Sequence, residues 1–388
     1  MPDVLIIGGG IIGAACASEL ARRGADVTLV ERDELAAHAS GRNQGLWILP
    51  EDEATVAMAQ IGLQRYLEVA AEAPLDVQLD REPIGQIILA RDDAERTTSR
   101  TAVALAEREG IQVDRLDGPA LLEAEPAITG EVADAWLVHS GHRLDPGALT
   151  VALALDARAH GATVRHHLHA RALARGGDRI VGAVTDDGVI EATTTVVAGG
   201  PWSGKLLDPV GVSLPVTGAR GWLIRLGAPP ISFAHLVRAE PPAGHRQSLA
   251  PDRPHVSEIL RDGIPASSVA TVLLPHRDGS LLVGSSRQIW LTPEPEEADV
   301  VARMLAEAVR LAPSLRETDV VSTWWGVRPL SPDERPFVGP VLEGLAVATG
   351  HGSEGVILGA GTASLLAAQL TSEDPPFDPV PFAPLRFA

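Results

Sequence analysis

Short β-branched runs alternate with small-residue stretches of helical period at the start of the chain. Val4-Leu5-Ile6-Ile7 is apolar throughout, the pattern of a parallel strand buried on both faces. From Ile12 to Arg23 small and apolar residues keep helical spacing, and Gly24 ends the run. Asp26-Val27-Thr28-Leu29-Val30 predicts a second strand, closed by Glu31. Further helices are predicted over 54–72, 97–109 and 121–128, the last stopped at Pro126. Asp145, followed by Pro146 at the first helical position, opens a helix predicted over 145–160. Gly161 ends that helix, and "ATVRHHLHA" then predicts a strand. "RIVGAVT" and "VIEATTTVV" flank Asp187-Gly188, the signal of a hairpin. Residues 213–325 alternate predicted strands with proline-rich loops around one helix at 297–312, as an inserted mixed-sheet domain does. The chain then returns to a strand at 344–350, a polar "HGSEG" turn and a small-residue helix over 356–370.

Composition narrows the partners. A length of 388 residues suits two domains, or one large domain carrying an insertion. A net charge of −19 disfavours nucleic acid or an anionic membrane as partner. Lys205 is the only lysine, so Schiff-base chemistry has a single candidate, with nothing around it to recommend it. Cys16 is the only cysteine, which excludes an intrachain disulfide and a cysteine-based metal cluster. No apolar run reaches the roughly 20 residues a membrane span needs, and the start lacks a basic signal-peptide region. The expectation is a cytoplasmic protein.

The glycines between the first two strands carry the first chemistry. Gly8, Gly10 and Gly13 form a G-x-G-x-x-G fingerprint inside a complete βαβ unit. The first glycine permits a tight turn, the second lets backbone approach a pyrophosphate, and the third lets helix and strand pack closely. The helix N-terminus then stabilises the negative charge. Glu31 stands where an acid accepts hydrogen bonds from a ribose, and it would repel the 2′-phosphate of NADP. NAD and FAD remain open on this unit alone. The loop Ala39-Ser40-Gly41-Arg42-Asn43-Gln44-Gly45 favours FAD, the longer cofactor, since Ser40, Arg42 and Asn43 can bond pyrophosphate or ribityl oxygens. Gly45 can lie against a flat ring. A second glycine-rich strand exit, Ala198-Gly199-Gly200-Pro201-Trp202-Ser203, suits a cofactor with two halves.

One arginine stands out in "WWGVRPLSPDERPFVGP" (324–340). Among indoles, valine and proline, the Arg328 guanidinium needs an anion if it is buried. These residues leave the anion open; an internal acid such as Asp333 or Glu334 is one candidate.

These motifs together resemble the FAD-dependent D-amino-acid oxidase superfamily, which includes glycine oxidase, sarcosine oxidase, D-amino-acid dehydrogenases and opine oxidase subunits. The resemblance rests on the two glycine exits, the Ser40-x-Arg42-Asn43-x-Gly45 loop, Gly326-x-Arg328-Pro329 and Gly350-His351-Gly352-x-x-Gly355. It runs from residue 1 to about 371 and is vague through 213–320. It implies an α/β, two-dinucleotide-binding-domain flavoprotein. Its Rossmann-like FAD domain would comprise 1–80, 143–212 and 326–388. An inserted α+β substrate domain on a mostly antiparallel sheet would comprise 81–142 and 213–325.

By position, the resemblance gives Ile11 and Ile12 to the pyrophosphate, Glu31 with Arg32 to the adenosine, and Ala170 to the adenine. Ala39, Ser40, Arg42, Asn43, Gln44, Gly45 and Leu46 would line the pyrophosphate and flavin, joined by Gly199 and Trp202. His351, Gly352, Ser353, Glu354, Gly355, Val356 and Ile357 would hold the pyrimidine edge of the flavin. Arg328 would bind the substrate carboxylate and touch the cofactor, with Trp47, Ser353 and Glu354 also near the substrate and His351 a catalytic candidate. The implied reaction is oxidation of the C–N bond of a small amino or imino acid. Oxygen or another acceptor would then take the electrons, in a monomer, homo-oligomer or hetero-oligomer. The rival activities are oxidation of a hydroxy acid or a secondary-metabolite amine; a non-catalytic FAD-binding subunit is the rival from another class.

Some residues depart from the family pattern or carry weaker signals. Tyr66 is the only tyrosine, and Val272 or Leu273 stands where the family often places a tyrosine anchor. Without a cysteine near the C-terminal motif, non-covalent FAD is expected, with His38 the residual candidate for a histidyl link. On a strand only His167 and His169 of the histidine cluster would share a face, with no carboxylate to complete a metal site, so no metal is expected. Trp47, Trp222 and Trp324 are candidates to wall a cavity, or are core.

Overall fold

The first βαβ unit forms as its residues predict. In the computed structural model, which describes residues 1–130, 132–239, 267–289 and 297–387, strands Val4–Ile7 and Val27–Val30 pair in parallel. The helix Ile11–Arg22 joins them, and its buried face is mostly alanine, glycine and Cys16. Such small side chains let it pack closely against the helices Pro146–Ala159 and Gly355–Thr371.

Two sheets dominate the architecture. The six-stranded sheet runs in the order Phe337–Leu342, Leu345–Thr349, Thr194–Val197, Val4–Ile7, Val27–Val30, Thr163–Arg165. All neighbours are parallel except the first pair. The eight-stranded sheet runs in the order Val320–Leu330, Thr217–Leu226, Leu281–Ile289, Ser267–Pro275, Leu236–Ala239, Gln86–Ala90, Asp134–Val138, Val113–Leu116. Only Leu236–Ala239 with Gln86–Ala90 is parallel there. The helix Glu297–Leu311 contributes Val300, Met304, Ala308 and Leu311 to the core against this second sheet. A chain crossing between a parallel α/β sheet and a mostly antiparallel one is the two-part architecture the resemblance implied.

Boundaries follow from caps. The helix predicted over 97–109 begins a turn earlier, at Asp93, because Asp92 accepts from the Glu95 amide at 2.9 Å. The one predicted over 121–128 is Gly118–Ala124, capped by Asp117. Asp145 caps its helix as expected, accepting from Ala148 at 2.9 Å.

Two local expectations need correction. The segment 162–170 is not one strand: pairing stops at Arg165, His167 takes φ 56°, and a new strand begins at Ala170. His166 and His167 therefore turn to the same side and meet Glu34, at 3.3 and 2.8 Å. Glu34 is the carboxylate the one-strand reading lacked, and all three residues are exposed. In the hairpin, Thr185 pairs with Gly188, so the two turn residues are Asp186 and Asp187 and Gly188 opens the return strand. The expectations that fall on 240–266 and 290–296 lie outside the described residues. Among the described residues no helix is long and apolar enough to cross a membrane.

Candidate active site

Both glycine-rich exits leave the carboxyl ends of adjacent parallel strands. The Ala198 amide donates to the Ile7 carbonyl at 2.9 Å, and Gly8, at φ 121°, lies against Ala198 so closely that a Cβ would overlap its carbonyl. Strand Val4–Ile7 is flanked on one side by the next strand in sequence and on the other by Thr194–Val197, the switch point where such sheets bind ligands. A cavity of about 540 Å³ opens there and runs to the floor of the eight-stranded sheet.

At one end lie Glu31, Arg32, Leu168, His169 and Ala170. Glu31 Oε2 accepts from the Gly9 amide at 2.6 Å and Oε1 from the Asp33 amide at 2.9 Å. A carboxylate has further lone pairs, so both glycine loop and ribose hydroxyls can share it. Arg32 lies 4.3 Å over the Trp202 ring, and His38 packs on the same indole at 4.7 Å. His38 Nε2 also meets Asp33 at 2.8 Å.

Gly10, Ile11 and Ile12 bring the N-terminus of the first helix to the cavity wall, and Gly355, Val356 and Ile357 bring that of the last. Neither helix has a cap from its own N-cap side chain, whereas Asp52, Asp92, Asp117 and Asp145 cap four others. Helix N-termini left open to a cavity favour negative charge. One suits a pyrophosphate and the other the flavin edge that becomes anionic on reduction.

The 39–45 loop folds upon itself to meet these ends. Ser40 Oγ accepts from the Ile11 amide at 2.9 Å. Asn43 Nδ2 donates to the Ala39 and Ser40 carbonyls, and its Oδ1 accepts from the Gly45 amide at 2.9 Å. Its side chain is thus spent on shaping the loop; what it brings to the cavity is chiefly position. Gln44 Nε2 is buried with no acceptor among the described residues, an orphan donor pointing to a bound acceptor. Gly45, at φ 72°, turns the chain onward to Leu46. The closely approaching backbone, two open helix ends and an orphan amide fit FAD.

Arg328 stands at the other end. Its strand places it across from Ala219, and its Nη1 donates to the Ser286 carbonyl at 3.1 Å. Among the described residues it makes no ion pair. Asp333 is held by Arg386 at 2.8 Å, and Glu334 accepts from Arg287. Neither acid therefore forms an ion pair with Arg328 among the described residues, although Glu334 acts on it electrostatically. Burial, then the neighbouring Arg287 charge, push the guanidinium down to about 10, with Glu334 opposing. It stays charged at neutral pH. Gly221, one strand over, makes the room: a Cβ there would overlap the guanidinium.

His351 lines the cavity but is only 1% exposed. Its Nε2 meets Thr362 Oγ1 at 2.9 Å, and burial pushes its pKa down to about 3. A neutral ring tied to the last helix braces the 350–355 turn, and its Nδ1 is buried with no hydrogen-bond partner among the described residues. Ser353 and Glu354 line the cavity beside it.

Two assigned residues stand outside the cavity. Trp47 is 4% exposed, donates to the Ala59 carbonyl at 3.3 Å and belongs to the helix-side core. Its strand pairs with His142–Arg143, which turns the indole inward. Gly13 does not line the cavity either; a Cβ there would overlap the Gly8 carbonyl, the close helix–strand packing its place in the motif implies. Trp222 and Trp324 are likewise packing residues, and Tyr66 is fully buried against the last helix, accepting from the Ala360 amide at 3.2 Å. Every other assigned residue lines the cavity. Val272, not Leu273, does so in its region.

Arg238 and Arg287 are cavity-lining residues the sequence reading did not single out. Both are buried; Arg238 meets Glu51 at 3.2 Å. A polar residue within an apolar strand, as in "LLVGSSRQI" and "LVRA", was the available signal.

The chain resembles known proteins along nearly its whole length. Residues 3–369 match the family DAO, described as FAD dependent oxidoreductase. The chain is 27% identical to a glycine oxidase of Pseudomonas putida, covering 98% of each chain. It is also 27% identical to the hydrogen cyanide synthase subunit HcnC of Pseudomonas aeruginosa, over 99% of this chain and 96% of that one. The crystal structure of glycine oxidase from Geobacillus kaustophilus superposes with a TM-score of 0.83 at 25% identity, over 99% of this chain and 98% of that chain.

Proposed function

Since the chain belongs to the DAO family of FAD-dependent oxidoreductases, we propose that it oxidises the C–N bond of a small amino or imino acid, giving an imine that water hydrolyses to a keto acid. The observation that carries the reading is Arg328, a charged guanidinium in the cavity wall with no ion-pair partner among the described residues. A substrate carboxylate supplies the partner such a group requires, and a bidentate pair fixes orientation as well as position. Holding the α-carbon in one orientation removes much of the entropic barrier to its reaction.

Bound FAD supplies the acceptor for the hydride. Gly8, Gly10, Ile11 and Ile12 would hold its pyrophosphate, Glu31 its ribose, and Gln44 with residues 351–357 its flavin. The open N-terminus of Gly355–Thr371 would stabilise charge developing on the ring. Non-covalent binding fits the buried Cys16, whose thiol burial pushes up to about 12, and the engagement of His38 with Asp33. In this reading the cofactor half is 1–80, 143–212 and 326–388 and the substrate half 81–142 and 213–325, with Gly326–Leu330 physically the end of a substrate-sheet strand.

Anaerobic bleaching of the flavin by a panel of amino acids tests the activity. For the anchor, Arg328→Leu should keep FAD yet lose about 10²-fold or more in kcat/KM for carboxylate substrates, as truncating one partner of a buried pair costs roughly 2–5 kcal/mol. Arg328→Lys should rescue only in part. Equal losses on a carboxylate substrate and its amide would refute the assignment.

A further inference from the structure

We propose that Glu334 is the group that receives the substrate's amino nitrogen, and that it selects amines over hydroxy acids; this rests on the amino-acid reading above. The loop from Ser331 to Pro336 carries three successive charged residues. The outer two face away from the cavity into ion pairs: Asp333 with Arg386, and Arg335 with Asp52. Glu334 alone of the three lines the cavity. It does so by holding φ 61°, the left-handed conformation that favours glycine. A glutamate kept where glycine would be easier points to its carboxylate as the reason.

Glu334 faces the right neighbours. Arg287 donates to its Oε1 from the floor of the eight-stranded sheet, while Oε2 accepts no bond among the described residues. Arg328 lies close enough for Glu334 to raise its pKa and for Arg287 to lower it. Arg287 and Glu334 offset each other, which leaves the Arg328 charge for a carboxylate and the second Glu334 oxygen as an acceptor for an ammonium.

The other candidates for this role are placed elsewhere. Glu31 is at the nucleotide end and His351 is buried on Thr362, while Glu354, which also lines the cavity, is the N-cap residue of the last helix. An ammonium must lose one proton before its carbon can lose hydrogen with an electron pair. Glu334 can take that proton: one N–H bond breaks, one O–H bond forms, and the freed lone pair remains on nitrogen. The charged groups facing it are Arg287 and Arg328, with Asp333–Arg386 and Arg335–Asp52 flanking; the nearby imidazole of His351 is neutral.

The test uses the holoenzyme, wild type and Glu334→Gln. Anaerobic bleaching by glycine, sarcosine, D-alanine and D-proline is set against glycolate and D-lactate, and kcat/KM is followed against pH. Calorimetric titration with glycolate provides a binding readout independent of turnover. Glu334→Gln should lose 10- to 100-fold on amines and flatten the low-pH limb, yet bind glycolate as tightly as wild type or tighter, since a negative charge beside Arg328 is gone. Glu334→Gly, which suits the left-handed position, should melt no lower than wild type while losing the same preference for amines. Wild-type amine preference and pH profile retained in Glu334→Gln would overturn Glu334 while leaving the amino-acid reading intact. Equal weakening of amines and glycolate would reduce it to a structural residue and also overturn the proposal. Bleaching of wild type only by the hydroxy acids would overturn both.

Discussion

Arg328 depends on residues that carry no charge of their own. Gly221 is the clearest: its missing side chain is the space the guanidinium fills. Gly221→Ala should push the guanidinium aside and raise KM for the carboxylate substrate about tenfold, roughly 1.4 kcal/mol of binding, with FAD content unchanged. An unchanged KM would show that the guanidinium can be accommodated elsewhere. His351 makes a different prediction. Its folded pKa, about 3, is far below the ordinary histidine value of 6.5. Below 6.5 the unfolded chain therefore binds a proton that the folded chain refuses. The stabilisation is whole above pH 6.5 and is lost as pH falls toward 3, on the order of a few kcal/mol at most. Chemical unfolding of the holoenzyme at pH 7.5 and pH 5 measures it. His351→Gln should be less pH-dependent than wild type across that interval; the same slope in both would place the titrating group elsewhere.

At the scale of elements, the caps divide the helices by task. Four helices away from the cavity are closed by aspartates at their N-caps, while the first and last helices have no N-cap side-chain bond and turn their ends to the cavity, the first with only its Ile11 amide met by Ser40. Asp52 joins the two roles. It accepts from the Ala54 amide at 3.1 Å and pairs with Arg335, anchoring the loop that carries Glu334. Asp52→Ala should cost about 1–2 kcal/mol, most of it the cap, because the ion pair is partly exposed and worth well under 1 kcal/mol. Asp52→Asn keeps a good cap and loses the charge, so it should retain most of the stability while still raising KM. Melting temperature and KM of the two variants separate the effects. If both variants lose stability equally, the cap is not the main term.

At the scale of the whole molecule, the cavity lies where the parallel sheet's strand ends meet the floor of the antiparallel sheet, so residues from both line it. A ligand that bridges them binds only the folded chain and stabilises it. Removing FAD should lower Tm, and restoring it at 100 times its Kd should return about 2.7 kcal/mol. Melting curves of deflavinated protein at rising FAD concentration test this; a Tm indifferent to FAD would place the cofactor outside the folded core.

What the sequence determined by itself was local or nearly so. The βαβ unit, the two glycine exits, the Asp145 cap and the 39–45 loop are each written within a few dozen contiguous residues, because turn conformation and helix ends depend on near neighbours. Arg328 was legible for a related reason: a permanent charge among indoles poses a question of solvation that only a few partners answer. The rest depended on register and on chain return. Arg287 and Glu334 meet across 47 positions, Gly221 faces Arg328 only through strand pairing, and Trp47 turns inward because its short strand pairs with His142–Arg143. The histidines at 166 and 167 share a side because His167 leaves the strand conformation. Such contacts are set by which strands pair and in what register, and a one-residue slip would reverse every side chain involved. Composition and period therefore reach the cofactor half of the site, while the substrate half is decided by tertiary pairing.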